Sequence, residues 1–369
     1  MISRPLYLVA GARPNFIKLA PLVRELQGRD NLPYRIVHTG QHYDYLMSGS
    51  FFNTLGIPEP DVNLEVGSGE QGLQTARILE RFEKLLLEEA PSAVVVFGDV
   101  NSTLACSLAA SKLQIPVVHV EAGLRSFDRT MPEEINRLVT DVLSDVLFAS
   151  EESGVLNMNR EGIPAHKVYL VGNIMIDSLE HMLPAALERD TPARLGLETG
   201  DYALLTMHRP SNVDREATLK CLMNVFAEIS LHLPLVFPVH PRTDQRLQEL
   251  GIRHAIPNRF RMVEPLDYLD SLCLQKHARL VFTDSGGMQE ETTYLDIPCI
   301  TLRENTERPV TVEMGTSTLV GNDPKRIWQA FKQVLAGNYK HADQIPLWDG
   351  KCAGRIADIL EETFWNRPK

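Results

Sequence analysis

The sequence lacks the features that mark membrane proteins and disulfide-stabilised proteins. No apolar run in its 369 residues approaches the roughly 20 residues that a membrane-spanning helix needs. The apolar part of the N-terminal stretch is too short for a signal peptide. The five cysteines have no CxxC spacing and are odd in number, so we expect reduced, structural thiols. We therefore expect a cytoplasmic protein that does not bind a membrane.

The sequence is also poor in positive charge. Its formal net charge of −11 argues against broad binding to nucleic acid or to an anionic membrane surface. The fingerprint G-x-G-x-x-G does not follow the first predicted strand, so nothing predicts a dinucleotide cofactor. We expect neither a cofactor nor a metal. With 44% apolar and 23% charged residues, the chain has the composition of a globular protein and the length of two domains.

Short apolar runs alternate with amphipathic helical patterns, which is typical of a doubly wound parallel sheet. The first half contains the predicted helices 16–27, 43–55 and 71–90. It also contains the predicted strands 6–10, 34–38, 93–97, 117–120, 146–149 and 168–171.

The pattern loosens over residues 172–198, which contain Pro184, Pro192 and Gly196. We expect the domain junction there. A second alternating series then follows, with predicted strands at 202–206, 235–239, 278–283 and 299–302 and a final amphipathic helix at 353–364.

Three carboxylates follow apolar runs in the first half, namely Asp99, Glu121 and Glu133. Two of these runs have the composition of buried parallel strands, so Asp99 and Glu121 are expected at strand carboxyl ends. Open α/β sheets bind and transform ligands at that edge. Acids beside a phosphate-binding apparatus suggest proton chemistry on an anionic substrate.

Each of these acids also has a structural interpretation. Asp99 could cap the helix that is predicted to begin at Asn101. Glu133 and Glu134 follow Pro132 and could be first-turn carboxylates that the helix dipole favours. Both kinds of role can coexist in one residue.

The turn after the first strand is a candidate anion site. Gly11 lets a ligand approach the backbone, and the helix that follows offers unpaired N–H groups at its positive end. Arg13 and Lys18 add positive charge at the same edge. The alternative is an ordinary turn with solvated basic residues. Gln41 and His42 follow the second strand, where they would line the ligand site or cap the next helix.

Basic residues and glycines follow four strands of the second half, and this repetition predicts a polyanion site. The strand ends carry His208-Arg209, His240-Pro241-Arg242, Ser285-Gly286-Gly287 and Arg303.

The segment that begins at Ser285 predicts a diphosphate site more directly. Two glycines between a strand and a helix expose backbone N–H groups that can cradle a diphosphate. Glu291 lies within reach of a ribose diol in this arrangement. The alternative is that Ser285 caps the helix while the glycines allow tight packing.

Taken together, these motifs resemble those of the non-hydrolysing UDP-N-acetylglucosamine 2-epimerases. HVEAGLRS followed by PEEINR is the most specific match, and SGG-x-QEE with TERP is also strong. The matching segments are GARPNFIKLAPLV, TGQHYDYLMS, FGDVNSTLA, HVEAGLRSFDRTMPEEINR, HRPSNVD, PVHPRT, TDSGGMQEE and NTERPVTVEMGT.

The resemblance implies an α/β protein of GT-B type, with two Rossmann-like, doubly wound domains and a cleft between them. It implies an N-terminal domain over residues 1–172 with the acid cluster and a UDP-binding domain over residues 173–352. A C-terminal helix over residues 353–369 would pack back on the first domain. Members of the family are commonly homodimers.

The resemblance also implies a cofactor-free reaction that interconverts UDP-GlcNAc and UDP-ManNAc. UDP is eliminated to give a 2-acetamidoglucal and is added again after C2 has been inverted. Inversion requires a positioned base or acid on each face of C2. The implied catalytic residues are Asp99, Glu121, Glu133 and His208. The implied substrate-binding residues are Arg13, Lys18, His240, Ser285, Gly286, Gly287, Glu291 and Arg308.

One departure from the family concerns a second, activating UDP-GlcNAc pocket that several bacterial members possess. Its Gln-His pair matches Gln41 and His42. Those members carry Gln where this chain has Asp44 and Arg where our alignment places Glu70. Acids at these positions oppose binding of an anionic nucleotide, so we predict weak or absent activation by this route.

Three alternative functions remain open from the sequence. The enzyme could be a 2-epimerase of a modified sugar such as UDP-2,3-diacetamido-2,3-dideoxy-glucuronate, because such relatives share most of these motifs. It could be a GT-B glycosyltransferase or a non-catalytic UDP-sugar sensor. The three-acid cluster argues against the last two, because a transferase would place its acceptor site there.

Overall fold

Two parallel β-sheets organise the chain, and each belongs to a separate compact unit. The computed structural model describes residues 4–41, 49–253 and 256–365. Unit 1 consists of Met1–Ser178 and Pro346–Lys369, and unit 2 consists of Leu179–Ile345. Helices flank both sheets. The α/β class and the two doubly wound, Rossmann-like domains of a GT-B protein are therefore confirmed.

The strands of unit 1 are β1 Leu6–Ala10, β2 Tyr34–His38, β3 Val62–Asn63, β4 Ala93–Phe97, β5 Val117–Ala122, β6 Val146–Ala149 and β7 Val168–Leu170. Its helices are α1 Arg13–Gln27, α2 Gly49–Leu55, α3 Gln71–Glu88, α4 Asn101–Lys112, α5 Pro132–Leu143, α6 Glu152–Arg160 and the last helix of the chain, α16 Cys352–Phe364. The sheet order is β3-β2-β1-β4-β5-β6-β7, with parallel pairing throughout.

The central strands β1, β4 and β5 are buried at every position. Helices cover both faces of such a sheet, so β1 and β4 are continuous apolar runs, whereas β5 carries the buried polar residues His119 and Glu121. On one face, Ile78 and Phe82 of α3 and Ala105 and Ala109 of α4 pack into the same core as Val94. This core fixes the ends of the strands, which carry the candidate site.

Unit 2 contains the strands β8 Ala203–Thr206, β9 Leu235–Pro238, β10 Phe260–Val263, β11 Leu280–Thr283, β12 Cys299–Thr301 and β13 Ser317–Leu319. Its helices are α8 Thr191–Arg194, α9 Pro210–Val213, α10 Glu216–His232, α11 Pro241–Glu249, α12 Tyr268–His277, α13 Gly286–Tyr294, α14 Val310–Glu313 and α15 Pro324–Leu335. The parallel sheet has the order β10-β9-β8-β11-β12-β13.

The segment over residues 172–198, where the sequence pattern loosens, is largely helical. Helix α7 (Ile174–Leu187) runs across the boundary between the units and contains Pro184. Within unit 1, the carboxylate of Asp177 accepts hydrogen bonds from the backbone N–H groups of Cys352 and Ala353, at 3.1 and 2.7 Å. Asp177 thus holds the first turn of α16, and α16 packs against α1.

Candidate active site

The carboxyl ends of four adjacent strands carry the candidate residues of unit 1. Strands β2, β1, β4 and β5 are neighbours and run parallel, so their carboxyl ends share one edge of the sheet. Gln41, Arg13 and Asp99 follow β2, β1 and β4, and Glu121 lies at the end of β5. The fold therefore brings Asp99 and Glu121 to neighbouring strand ends.

Glu121 has an unusual backbone conformation at the end of β5. Its φ is +73°, and the register with β6 shifts between Val120 and Ala122. A left-handed conformation in a residue with a side chain stores strain, and such strain is concentrated at functional sites. The bulge turns the Glu121 side chain to an ion pair with Lys18 of α1, in which both groups are largely buried.

Gly98 brings the β4 turn close to this ion pair. A Cβ atom added to Gly98 would lie 3.1 Å from Nζ of Lys18 and 3.4 Å from Oε2 of Glu121. Gly98 also has a φ of +63°, so glycine suits this position for both conformation and space. Asp99 follows directly, so its turn borders the Lys18–Glu121 pair.

Asp99 does not cap the helix that follows it. The N-cap of α4 is Val100, and Ser102 N–H donates to Oε1 of Gln41 instead. The Asp99 carboxylate forms an ion pair with Arg137 of α5 while keeping 27% of its side chain exposed. The capping interpretation is therefore wrong, and Asp99 combines a fixed partner with access from solvent.

Glu133 and Glu134 occupy the first turn of α5, and their environments differ. Glu134 is 1% exposed, accepts hydrogen bonds from the backbone N–H groups of Ser126 and Phe127 and forms an ion pair with Arg137. Burial alone would raise the Glu134 pKa, but these partners outweigh burial and lower it. Glu133 is half-buried. The structure thus makes Glu134 an organising residue and leaves Glu133 as the candidate for chemistry.

The remaining unit 1 candidates have structural partners as well. The guanidinium of Arg13 lies 5.3 Å from the ring centroid of Phe51, a cation–π distance. Oε1 of Gln41 accepts hydrogen bonds from both N–H and Oγ of Ser102. Gln41 therefore ties its loop to the start of α4. His42 and Asp44 lie outside the described residues.

In unit 2, His208 follows β8 and is oriented by Asp284, which follows β11. Nδ1 of His208 lies 3.0 Å from a carboxylate oxygen of Asp284. Asp284 also accepts hydrogen bonds from Arg209 N–H and from Nδ2 of Asn212. Burial alone would raise the Asp284 pKa, but its bonds with His208, Arg209 and Asn212 lower it below its usual range. An ionised Asp284 thus holds His208, whose side chain is 57% exposed.

The Ser285-Gly286-Gly287 segment opens α13 as the sequence predicts. Oγ of Ser285 accepts from the backbone N–H of Met288, so the capping interpretation is correct. The helix N-terminus with its glycines also keeps the geometry of an anion site. A Cβ on Gly286 would lie 2.5 Å from Nη1 of Arg308 and 2.7 Å from Oε1 of Glu307.

Arg308 belongs to a buried charge network beneath this turn. It pairs with Glu290 at 2.7 Å and with Glu307 at 2.6 Å. Glu307 also pairs with Arg303 at 2.7 Å and lies 3.7 Å from Arg209. Burial would raise the Glu307 pKa, but Arg308 and Arg303 lower it strongly. Arg308, Arg303 and Arg209 thus face Glu290 and Glu307 in this network.

Glu291 is buried and holds two hydrogen-bond donors. Tyr268 Oη and Nε2 of Gln275 donate to its two carboxylate oxygens, each at 2.8 Å. Burial raises the Glu291 pKa, although these two donors oppose the effect. A carboxylate held in this way can accept hydrogen bonds from a diol through its remaining lone pairs. His240 is exposed and directly precedes α11, and its carbonyl accepts from Asp244 N–H in the first turn of that helix.

Sequence reasoning missed the partners that fix these side chains. Arg137, Asp284 and Glu307 stand inside the quoted motifs, but their roles depend on which residues lie opposite them in space. Among the described residues, no group of three or more His, Cys, Asp or Glu side chains is arranged to hold a metal ion. Of the helices in residues 4–41, 49–253 and 256–365, none has the length and apolar character needed to cross a bilayer.

Comparisons with known proteins agree with this geometry. A family model described as UDP-N-acetylglucosamine 2-epimerase matches residues 24–361. The UDP-N-acetylglucosamine 2-epimerase of Methanocaldococcus jannaschii is 44% identical over 363 residues, which cover 96% of this chain and 98% of the relative. The UDP-2,3-diacetamido-2,3-dideoxy-D-glucuronate 2-epimerase of Pseudomonas aeruginosa is 39% identical, covering 95% and 98%.

Solved structures give the same result. The crystal structure of Methanocaldococcus jannaschii UDP-GlcNAc 2-epimerase, in complex with UDP-GlcNAc and UDP, matches with a TM-score of 0.89 and 44% identity. The match covers 97% of this chain and 99% of that chain. The structure of the Neisseria meningitidis UDP-GlcNAc 2-epimerase bound to UDP-GlcNAc matches with a TM-score of 0.88 and 29% identity, covering 97% and 100%.

Proposed function

This chain belongs to the UDP-N-acetylglucosamine 2-epimerase family, a family of isomerases, and we propose that it interconverts UDP-GlcNAc and UDP-ManNAc by inverting C2. The reaction proceeds by elimination of UDP to a 2-acetamidoglucal and by re-addition of UDP. The single observation that carries the proposal is the placement of Asp99 and Glu121 at the carboxyl ends of neighbouring strands, each ion-paired with a base.

The chemistry at C2 needs proton transfer on both faces of the sugar. In elimination, a carboxylate takes the C2 proton, its electron pair forms the C1–C2 double bond, and the C1–O bond breaks to release UDP. In the return step, an acid delivers a proton to the opposite face of C2 while UDP adds to C1. Asp99, Glu121 and Glu133 are the proposed acids and bases. Lys18 and Arg137 orient two of these carboxylates and keep them in place.

Unit 2 supplies the proposed binding site for the UDP group. The departing diphosphate gains negative charge as the C1–O bond breaks, so preorganised donors lower the barrier. His208, held by Asp284, and the backbone N–H groups at the start of α13 are such donors. Arg308 adds positive charge, and Glu291 is the proposed ribose ligand. Arg13 of unit 1 is a further proposed cation for the diphosphate. The proposal assigns UDP binding chiefly to unit 2 and proton transfer at C2 chiefly to unit 1.

UDP-GlcNAc is the preferred substrate of the proposal, because relatives at 44% and 41% identity are named UDP-N-acetylglucosamine 2-epimerases. The Pseudomonas aeruginosa relative at 39% identity acts on a diacetamido-glucuronate. Both reactions invert C2 of a UDP-sugar, so the same acids serve either substrate. The choice between the two concerns substituents at other positions of the sugar.

Incubation with each UDP-sugar, followed by proton NMR of the products, tests this assignment. The proposal predicts that UDP-GlcNAc alone yields UDP-ManNAc and reaches the same equilibrium mixture from either side. Faster turnover of the diacetamido-glucuronate would reassign the substrate within the family. Release of free ManNAc with UDP would identify a hydrolytic enzyme. A sugar transferred to an added acceptor, with no change at C2, would identify a glycosyltransferase.

A further inference from the structure

A second buried pair of side chains lies behind the acids of unit 1. His119 occupies the middle of β5, and its side chain is 0% exposed. Its Nδ1 lies 2.6 Å from Oδ1 of Asp141 in α5, and its Nε2 lies 2.8 Å from the carbonyl oxygen of Gly98. A buried imidazole with a partner at each nitrogen is fixed in one orientation.

The hydrogen-bond roles of this pair follow from the chemistry of its partners. A backbone carbonyl only accepts, so Nε2 of His119 donates to Gly98. Burial would raise the Asp141 pKa, but its partners His119 and Arg125 lower it. Asp141 is therefore a carboxylate that accepts from Nδ1 of His119. The same buried cluster also contains Arg125, which pairs with Asp141 and with Glu161.

The other carboxylate oxygen of Asp141 bonds to the turn that follows Glu121. Oδ2 of Asp141 accepts from the backbone N–H of Gly123 at 3.0 Å. Gly98 directly precedes Asp99, and Gly123 follows Glu121 by two residues. The series of hydrogen bonds from Gly98 through His119 and Asp141 to Gly123 therefore joins the two turns that carry the proposed acids.

Both joined turns have conformations that need such support. Gly98 and Gly123 have φ values of +63° and +83°, and Glu121 has a φ of +73°. Gly98 is also held through its N–H, which donates to the carbonyl of Val120 at 3.0 Å. The backbone N–H and the backbone carbonyl of Gly98 thus both bond to residues of β5. Without the His119 bond, the Gly98 carbonyl would be left without its buried donor and the turn could relax.

We infer that His119 and Asp141 are positioning residues that hold Asp99 and Glu121 at the separation that proton transfer at C2 requires. This inference rests on the proposed epimerase reaction. His119 itself touches no reacting atom and exchanges no proton with the sugar. Its contribution is geometric, because proton transfer on two faces of one carbon tolerates little change in the spacing of the two acids.

Two substitutions separate the two hydrogen bonds of the ring. The amide nitrogen of His119→Gln can take the place of Nε2 and donate to Gly98. The shorter amide of His119→Asn takes the place of Nδ1 and keeps only the bond to Asp141. We predict that His119→Asn lowers kcat about 100-fold, the cost of misplacing a catalytic group by about 1 Å. KM for UDP-GlcNAc and the affinity for UDP stay unchanged, and His119→Gln recovers most of kcat.

The fate of the intermediate provides a second readout. A disturbed acid spacing impairs protonation of the intermediate more than release of UDP. His119→Asn should therefore release more 2-acetamidoglucal and UDP per UDP-ManNAc formed than the wild type. The inference is overturned if the two variants lose kcat equally at equal melting temperature, or if the loss is confined to KM. A wild type that does not epimerise UDP-GlcNAc would instead refute the proposed function.

Neutron diffraction of the wild-type protein tests the inference without any variant. The inference requires a deuteron on Nε2 of His119 directed at the Gly98 carbonyl, and another on Nδ1 directed at Asp141. Absence of the Nε2 deuteron would overturn it, even if both variants fail to fold.

Discussion

Nδ1 of His208 lies 3.0 Å from a carboxylate oxygen of Asp284, and the Asp284 side chain is 0% exposed. The two residues follow β8 and β11, which are adjacent in the sheet of unit 2. Asp284 also bonds to the backbone N–H groups of His208 and Arg209. One buried carboxylate therefore fixes both the turn and the ring of a residue that is proposed to bind the diphosphate.

Asp284→Asn should weaken UDP binding through His208. The amide removes the charge that holds the imidazole, so we expect about tenfold weaker affinity, or about 1.4 kcal/mol. His208→Ala should cause a similar loss, and the double variant should add little to either. Calorimetric titration with UDP measures all three affinities. Fully additive losses would show that Asp284 acts independently of His208.

Glu133→Gln should lower turnover, whereas Glu134→Gln should lower the stability of the fold. Glu133→Gln removes a proposed acid or base, so we expect turnover to fall about 100-fold or more with an unchanged melting temperature. Glu134→Gln breaks a buried ion pair with Arg137 and should destabilise the fold by about 3 kcal/mol. Thermal unfolding and NMR rate measurements check both. A stable Glu134→Gln or a fully active Glu133→Gln would contradict this division.

Gly286→Ala and Gly287→Ala form a matched pair at the start of α13. An added Cβ at Gly286 meets Arg308 and Glu307, so this variant should lose both stability and UDP affinity. At Gly287, no heavy atom of the described residues lies within 4 Å of the added Cβ. The melting temperature of Gly287→Ala should therefore equal that of the wild type.

UDP binding then distinguishes the two functions of these glycines. If the backbone N–H groups cradle the diphosphate, the Gly287→Ala methyl group obstructs the approach of the ligand and weakens binding. Titration with UDP measures this effect. Wild-type affinity in Gly287→Ala would remove this turn from the proposed site.

Asp177 should make the unfolding free energy depend on pH. Burial raises the Asp177 pKa, and the N–H donors of Ala353 and Cys352 lower it by a smaller amount. The net result is a rise from 3.8 to about 6. The folded state then binds the proton more tightly than the unfolded state. The contribution of Asp177 to the free energy of unfolding is therefore largest below about pH 4. This contribution falls by about 3 kcal/mol in total as the pH rises to about 6.

Asp177→Asn removes this titration while keeping an oxygen that accepts from the start of α16. Denaturant unfolding measures the free energy of unfolding between pH 4 and pH 7. This free energy should decline less with rising pH in the variant than in the wild type. Parallel pH curves for the two proteins would show that Asp177 does not titrate in this range.

The fold was largely predictable because its central strands are buried on both faces. Strands β1, β2, β4 and β6 have the predicted bounds. For β1, β4 and β6, continuous apolar runs between helical patterns leave few other interpretations. The edge strands β3, β10 and β13 were not predicted. Their two to four residues are too few to show a clear periodicity, and their pairing depends on the neighbouring strand. Helix α7 was missed because Pro184 and the residues after it suggest a loop.

The candidate acids were predictable, but their partners were not. Asp99 and Glu121 follow predicted strands, and the ends of neighbouring parallel strands meet at one edge. The pairing of Asp99 with Arg137, and of Glu121 with Lys18, joins residues 38 and 103 positions apart. Local patterns contain no information about such pairs. The same is true of the left-handed conformation of Glu121, which the register of β5 and β6 imposes.

The central claim is that acids of unit 1 exchange a proton at C2 of a UDP-sugar. Incubation of the wild type with UDP-GlcNAc in deuterated water, followed by NMR at C2, tests it most directly. Asp145→Asn is a matched control, because Asp145 directly precedes β6, at the opposite edge of the sheet. We predict deuterium at C2 and a manno product with the wild type and with Asp145→Asn, and a loss of at least about 100-fold in this rate with Asp99→Asn or Glu121→Gln. Epimerisation without deuterium at C2, or undiminished exchange in both acid variants, would contradict the account.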